Sequence, residues 1–166
     1  MNSFSYGVNN LKRIAGVAGH SAPFGPPPLL EAAVKAKAAG QYLPMYAIAG
    51  NRDMDKPLPV NQTQRSFYNV IRAFALLNGI TVPDSPDLTV NEMFGLKLDG
   101  PGWSELAGRR AMVGTLSNQQ GVMIKLVALD PYGHWNSKPA AEDMWAFLSR
   151  FRRNVTTGAL QVDASR

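Results

Sequence analysis

Residues 122–153 read VMIKLVALDPYGHWNSKPAAEDMWAFLSRFRR, and the fold is decided there. The opening run, Val122-Met-Ile-Lys-Leu-Val-Ala-Leu129, is almost wholly apolar and rich in β-branched and aliphatic side chains. Such a run suits a strand buried on both faces of a sheet. The chain then turns through Asp130-Pro131-Tyr132-Gly133 and delivers His134 and Trp135 just past the strand end. Ser137 has the chemistry of a helix cap, and Pro139 falls in the first turn, where a missing N–H costs nothing. Met144, Phe147, Leu148 and Phe151 recur at helical spacing and predict a helix with one apolar face on the sheet. Glu142 and Asp143 near its start, and Arg150, Arg152 and Arg153 near its end, suit the helix dipole. The stretch predicts strand, histidine loop and helix in succession. In open α/β sheets ligands gather at the carboxyl ends of strands, which is where this places His134.

The same alternation extends upstream. Phe4, Val8 and Leu11 have helical spacing, and residues 14–19, IAGVAG, make a short buried-strand candidate. A proline-dense loop over residues 20–28 follows, and within it Ser21 beside His20 reads as a turn residue ahead of proline, with an exposed hydroxyl. Residues 29–39, LLEAAVKAKAA, are strong helix formers closed by Gly40. Residues 44–50, PMYAIAG, predict the next buried strand, and Asn51-Arg52-Asp53 follow directly. Strand, helix and strand in this order predict a βαβ unit and a parallel sheet.

A second helix is expected over residues 64–78, with Phe67, Val70, Ile71, Phe74 and Leu77 on one face. Residues 81–91 read as loop, and residues 94–98 and 109–116 as strands. A turn at residues 117–121 would pair the second of these antiparallel with residues 122–129. The polar residues after 154 suggest a flexible tail, which leaves residues 1–153 as a single domain. The expected class is α/β, a mostly parallel sheet with packed helices and an antiparallel hairpin before the last strand.

Composition narrows the chemistry. The 166 residues are 45% hydrophobic and only 17% charged, enough apolar material for a real core. There is no cysteine, which excludes disulfides, a thiol nucleophile and thiolate metal sites. The net charge of +5 comes from scattered lysines and arginines, with no basic stripe and no aromatic interleaving, so nucleic acid is not the expected partner. No apolar run approaches the length needed to span a membrane, and the first residues carry no signal-peptide pattern.

An acid ahead of a histidine is the chain order of the α/β-hydrolase triad, Ser…Asp/Glu…His. Gly50-Asn51-Arg52-Asp53, after an apolar strand and followed by Pro57 and Asn61, resembles the acid turn of the polyhydroxybutyrate depolymerase and feruloyl esterase group. Gly133-His134-Trp135, ahead of a helix bearing Trp145, Phe147 and Phe151, resembles that group's histidine turn. Residues 14–19 look like the strand that follows the nucleophile helix in the same enzymes. The likeness covers most of the chain and is least distinctive over residues 62–108.

The resemblance implies a partial α/β-hydrolase fold and a carboxylic-ester hydrolase acting on a hydroxyacyl or aryl ester, small or polymeric. It implies no cofactor and no metal, and it suggests a secreted protein. His134 would take the serine proton and pass it to the leaving alcohol, while Asp53 holds the imidazole tautomer and stabilises the imidazolium. Asp55 is the runner-up acid and Asp130 a third choice; a solvated carboxylate or an ion pair with Arg52 is the structural alternative for Asp53. Trp135 would wall the pocket, or simply pack on the last helix. Trp103, in the Gly100-Pro-Gly-Trp loop, would line a substrate cleft, with plain packing as its alternative.

The nucleophile is the gap. A serine elbow is normally written G-x-S-x-G, and the nearest match is Ser3-Phe-Ser5-Tyr-Gly7, which lacks the first glycine. It resembles the G-F-S-Y-G form of some feruloyl esterases. No strand precedes Ser5, however, and the gap to Ile14 is short for the helix of several turns that the family places there. In the other alignment residues 1–13 are the remainder of the nucleophile helix, and the family's serine falls before Met1. The chain is then expected to be the carboxyl-terminal half of an esterase, silent toward activated esters by itself.

Two function classes remain, an ester hydrolase and a non-catalytic hydrolase remnant that binds a partner or a small molecule. Two structural expectations follow. Asp53 and His134 should approach within hydrogen-bond reach at the carboxyl ends of adjacent parallel strands. The strand over residues 14–19 should also lie at a sheet edge, open to self-association or to a complementing amino-terminal segment.

Overall fold

A computed structural model describes residues 3–21, 27–53, 65–87, 95–106 and 108–163. Five strands form one sheet: β1 (Val17–His20), β2 (Met45–Gly50), β3 (Asp99–Leu106), β4 (Arg109–Asn118) and β5 (Gly121–Asp130). Their spatial order is β1-β2-β5-β4-β3. The first three are parallel, with Ala47 opposite Gly19 on one side and Leu126 on the other. β4 and β3 continue the sheet antiparallel. The class is α/β, as the alternation of apolar runs and helices predicts.

All six residues of β2 are buried, because helices cover both of its faces. α1 (Ser3–Asn9), α2 (Pro27–Ala38) and α3 (Arg65–Leu77) pack in succession on one face. Phe4 of α1 meets Phe74 of α3 edge-on at 5.6 Å. α3 buries Phe67, Val70, Ile71, Phe74 and Leu77, the stripe expected from their spacing. Gly19 lets α1 settle on β1, since a Cβ there would overlap the Phe4 ring. Tyr46 points the other way along β2, as strand alternation requires, and meets Phe147 of α4 (Ala140–Leu148). Its hydroxyl donates to Asp143 Oδ2 at 2.5 Å, and Lys125 Nζ reaches Asp143 Oδ1 at 2.8 Å. These two bonds fasten α4 to the second face.

The structure corrects several local readings. β1 starts at Val17 rather than at residue 14, because the ladder opens with Val17 N–H donating to Pro44 O. The backbone carbonyl of Ile14 accepts instead from Arg153 Nε. The strand expected over residues 94–98 is displaced to Asp99–Leu106, and Leu96 and Leu98 are buried outside any strand. Gly100-Pro101-Gly102-Trp103, expected to be a loop, lies within β3. The sheet tolerates it because β3 is an edge strand with a register shift between Asp99 and Gly102, where proline leaves no partner unsatisfied.

Ser137 does not cap α4: the cap position is Pro139, with no side-chain bond. The helix also ends at Leu148, so Phe151, Arg152 and Arg153 belong to β6 (Phe151–Arg153) rather than to its last turns. Phe151 still joins the apolar cluster, with its ring 5.3 Å from that of Phe147. Within the expected flexible tail, β7 (Leu160–Val162) pairs antiparallel with β6. A turn in which Asn154 Oδ1 accepts from the N–H groups of Thr156 and Thr157 closes this hairpin. Among the described residues, no helix is long and apolar enough to cross a membrane.

Candidate active site

The site is built where β1, β2 and β5 end. Past Gly50, Asp53 N–H donates to Gly50 O and Asn51 N–H to Leu129 O, so the acid turn folds tightly against the end of β5. Past Asp130, the chain crosses over Gly50, where any Cβ would overlap the Tyr132 carbonyl. That carbonyl accepts from Arg52 N–H at 2.8 Å. Glycine at position 50 is required by this close backbone approach. The crossing brings His134 from β5 over the end of β2.

His134 Nδ1 lies 2.8 Å from Asp53 Oδ1, as the strand-end argument predicts. Asp53 is only 3% exposed, whereas the His134 side chain is 56% exposed. A buried carboxylate facing Nδ1 accepts a hydrogen bond from the proton on that nitrogen, which leaves Nε2 as the basic position. A half-exposed base with a buried orienting acid can remove a proton from a hydroxyl or from water. The solvated carboxylate and the Arg52 ion pair, the alternatives for Asp53, do not describe its burial or this contact.

Among the described residues, the remaining candidates sit on α1, β3, β5 and the loop that carries His134. Asp55 lies outside the described residues. Asp130 is engaged with Asn51 Nδ2 at 2.5 Å and with Arg110 at 3.5 Å, which makes it a fastener of the two strand ends. Ser5 lies inside α1, where its carbonyl accepts from Asn9 Nδ2. Trp135 stands beside His134 and is 75% exposed, so it is not packed on the last helix. Trp103 stands on β3, two strands away from β5, under the Arg110 guanidinium at 3.8 Å. It is therefore neither in a loop nor brought to His134 by its strand. Among the described residues, no group of three His, Cys, Asp or Glu side chains is placed to hold a metal ion.

The structure adds residues that the pattern of the sequence did not single out. His20, at the end of β1, accepts from Ser137 N–H through Nε2 at 3.0 Å. Its Nδ1 lies 3.2 Å from Ser21 Oγ. Burial lowers the pKa of His20 from its ordinary value; the charge of Asp53 opposes that shift and His134 adds to it. Ser21 is buried, not exposed, and its φ of 47° is the left-handed value that non-glycine residues seldom take. The Tyr132 ring lies 6.0 Å from the His20 ring, and the Arg109 guanidinium stands over it at 4.6 Å. The signal for His20 was its position: it is the other histidine of the chain and also stands at a strand end.

Comparison with models of known protein families finds no match for this chain, and comparison with curated proteins finds none either.

Proposed function

We propose that Asp53 and His134 are the acid and base of a carboxylic-ester hydrolase of the α/β-hydrolase type, similar to polyhydroxybutyrate depolymerases and feruloyl esterases. One observation carries this reading. A buried carboxylate meets Nδ1 of a half-exposed histidine at 2.8 Å, past the carboxyl ends of neighbouring parallel strands. In the proposed reaction a serine hydroxyl gives its proton to His134 Nε2 as its oxygen attacks the ester carbonyl. The same proton then passes to the departing alcohol, and Asp53 stays ionised and steadies the imidazolium. Trp135, exposed beside the base, supports a wall for the acyl or aryl group. The substrates proposed are hydroxyacyl or aryl esters, small or polymeric.

A second reading, a non-catalytic binding module on the same scaffold, is favoured by the setting of Ser5. It lies within a helix, whereas an elbow serine stands on a sharp strand-to-helix turn. The two readings separate in ester hydrolysis by the chain alone and by the chain preceded by a strand and a G-x-S-x-G segment from an esterase of the resembled group. The hydrolase reading expects the chain alone to be no faster than His134→Ala. It expects the extended protein to turn over activated short-chain esters in a way that His134→Ala abolishes. Saturable turnover by the chain alone that Ser5→Ala removes would make Ser5 the nucleophile within the same reaction class. Extended protein that is inactive, or indifferent to His134→Ala, would leave the binding module.

A further inference from the structure

The loop between β5 and α4 carries His134, and its anchors lie on two strands. From the end of β2, Arg52 N–H holds Tyr132 O at 2.8 Å and Asp53 holds His134 itself. On the downstream side, Ser137 N–H is held by His20 Nε2 at the end of β1. A nitrogen that accepts a backbone N–H cannot carry a proton, so the His20 proton is on Nδ1, which then donates to Ser21 Oγ at 3.2 Å. Each ring nitrogen of His20 thus has a defined role, and the two roles fix one neutral tautomer. Burial disfavours the charged form and works in the same direction.

We propose that His20 is a positioning residue for the base: as a neutral, Nδ1-protonated imidazole it braces the His134 loop through Ser137 N–H, so that His134 is held from β1 as well as from β2. The assignment of a reaction to that brace rests on the hydrolase reading; the brace itself rests on the hydrogen bonds. Bases that must meet a hydroxyl at near-contact distance are sensitive to small displacements, and about 1 Å of misplacement costs on the order of a hundredfold in rate. Asp53 fixes which way the His134 ring faces. The bond from Ser137 to His20 fixes where the segment that follows His134 sits.

Two substitutions separate the ring's two contacts. Glutamine places an amide oxygen near the position of Nε2 and keeps an acceptor for Ser137 N–H. Asparagine is shorter, reaches only the Ser21 side, and gives up Ser137. The experiment is nitrogen-15 NMR of the full chain, wild type, His20→Gln and His20→Asn, reading the His134 imidazole nitrogens and the hydrogen exchange of the Ser137 amide.

The brace predicts wild-type behaviour in His20→Gln. In His20→Asn it predicts Ser137 exchange faster by at least about tenfold, together with changed His134 imidazole nitrogen signals. Turnover by the extended protein described above should fall about 10–100-fold in kcat in His20→Asn, with KM little changed. His20→Asn with wild-type Ser137 exchange and His134 signals would overturn the proposal, and so would His20→Gln behaving like His20→Asn. If the NMR differences appear but no His134-dependent turnover is found, the hydrolase reading fails and the brace stands as a property of the loop.

Discussion

At the scale of single residues, the site depends on where protons are held. Asp53→Asn keeps the shape of the side chain but replaces the acceptor that sets the His134 tautomer. In a protein with an active serine, kcat should fall by roughly 10⁴-fold, the size of effect expected when the imidazole is held wrongly, and steady-state kinetics would measure it. His20 makes a separate prediction about pH. Its folded pKa lies below the ordinary value of 6.5, so the unfolded chain binds a proton first as the solution is acidified. The stability that neutral His20 contributes is present above about pH 6.5 and is lost as pH falls toward its lower folded pKa. Urea unfolding should therefore show a decline in that window that His20→Gln removes. Asp53 and His134 were legible because each follows an apolar strand directly. His20 and Ser137 were not, because their bond spans a long stretch of chain, and locally Ser137 reads as a cap.

At the scale of elements, the β2–α4 contact is the one to test. Tyr46 is fully buried, and burial together with its bond to Asp143 pushes its pKa far above the usual tyrosine value. Replacing it with phenylalanine leaves the ring in place and removes one hydrogen bond to a carboxylate, which typically contributes about 1.5–3 kcal/mol. The Lys125–Asp143 pair would remain. Tyr46→Phe should lower the unfolding free energy by that amount in urea, with an unchanged m value. Apolar periodicity made α3, β2 and β5 legible because burial alone decides those elements. It failed at residues 94–106 because an edge strand needs no apolar pattern: every β3 residue except Leu106 is exposed. It also failed at the end of α4, where the turn of Arg153 toward the carbonyls of Ile14, Tyr42 and Gly158 favours a strand over another helical turn.

At the scale of the molecule, the sheet has two unlike edges. β3 carries Pro101 and a register shift, both of which discourage pairing with another chain. β1 has neither, although Ser3 Oγ donates to the outward carbonyl of Ala18 at 2.7 Å and α1 covers one of its faces. The chain is expected to self-associate through β1, with light scattering giving a mass above 18.0 kDa that rises with concentration. A monomer at all concentrations would mean that α1 shields the edge. At the ends of the three parallel strands, however, everything turns on one hydrogen bond, in which Asp53 accepts from His134 Nδ1–H and leaves Nε2 as the base. Nitrogen-15 NMR of the neutral His134 ring tests this directly. That bond predicts the Nδ1–H tautomer in the wild type and its loss in Asp53→Asn; an Nε2–H tautomer in the wild type, unchanged by Asp53→Asn, would contradict it.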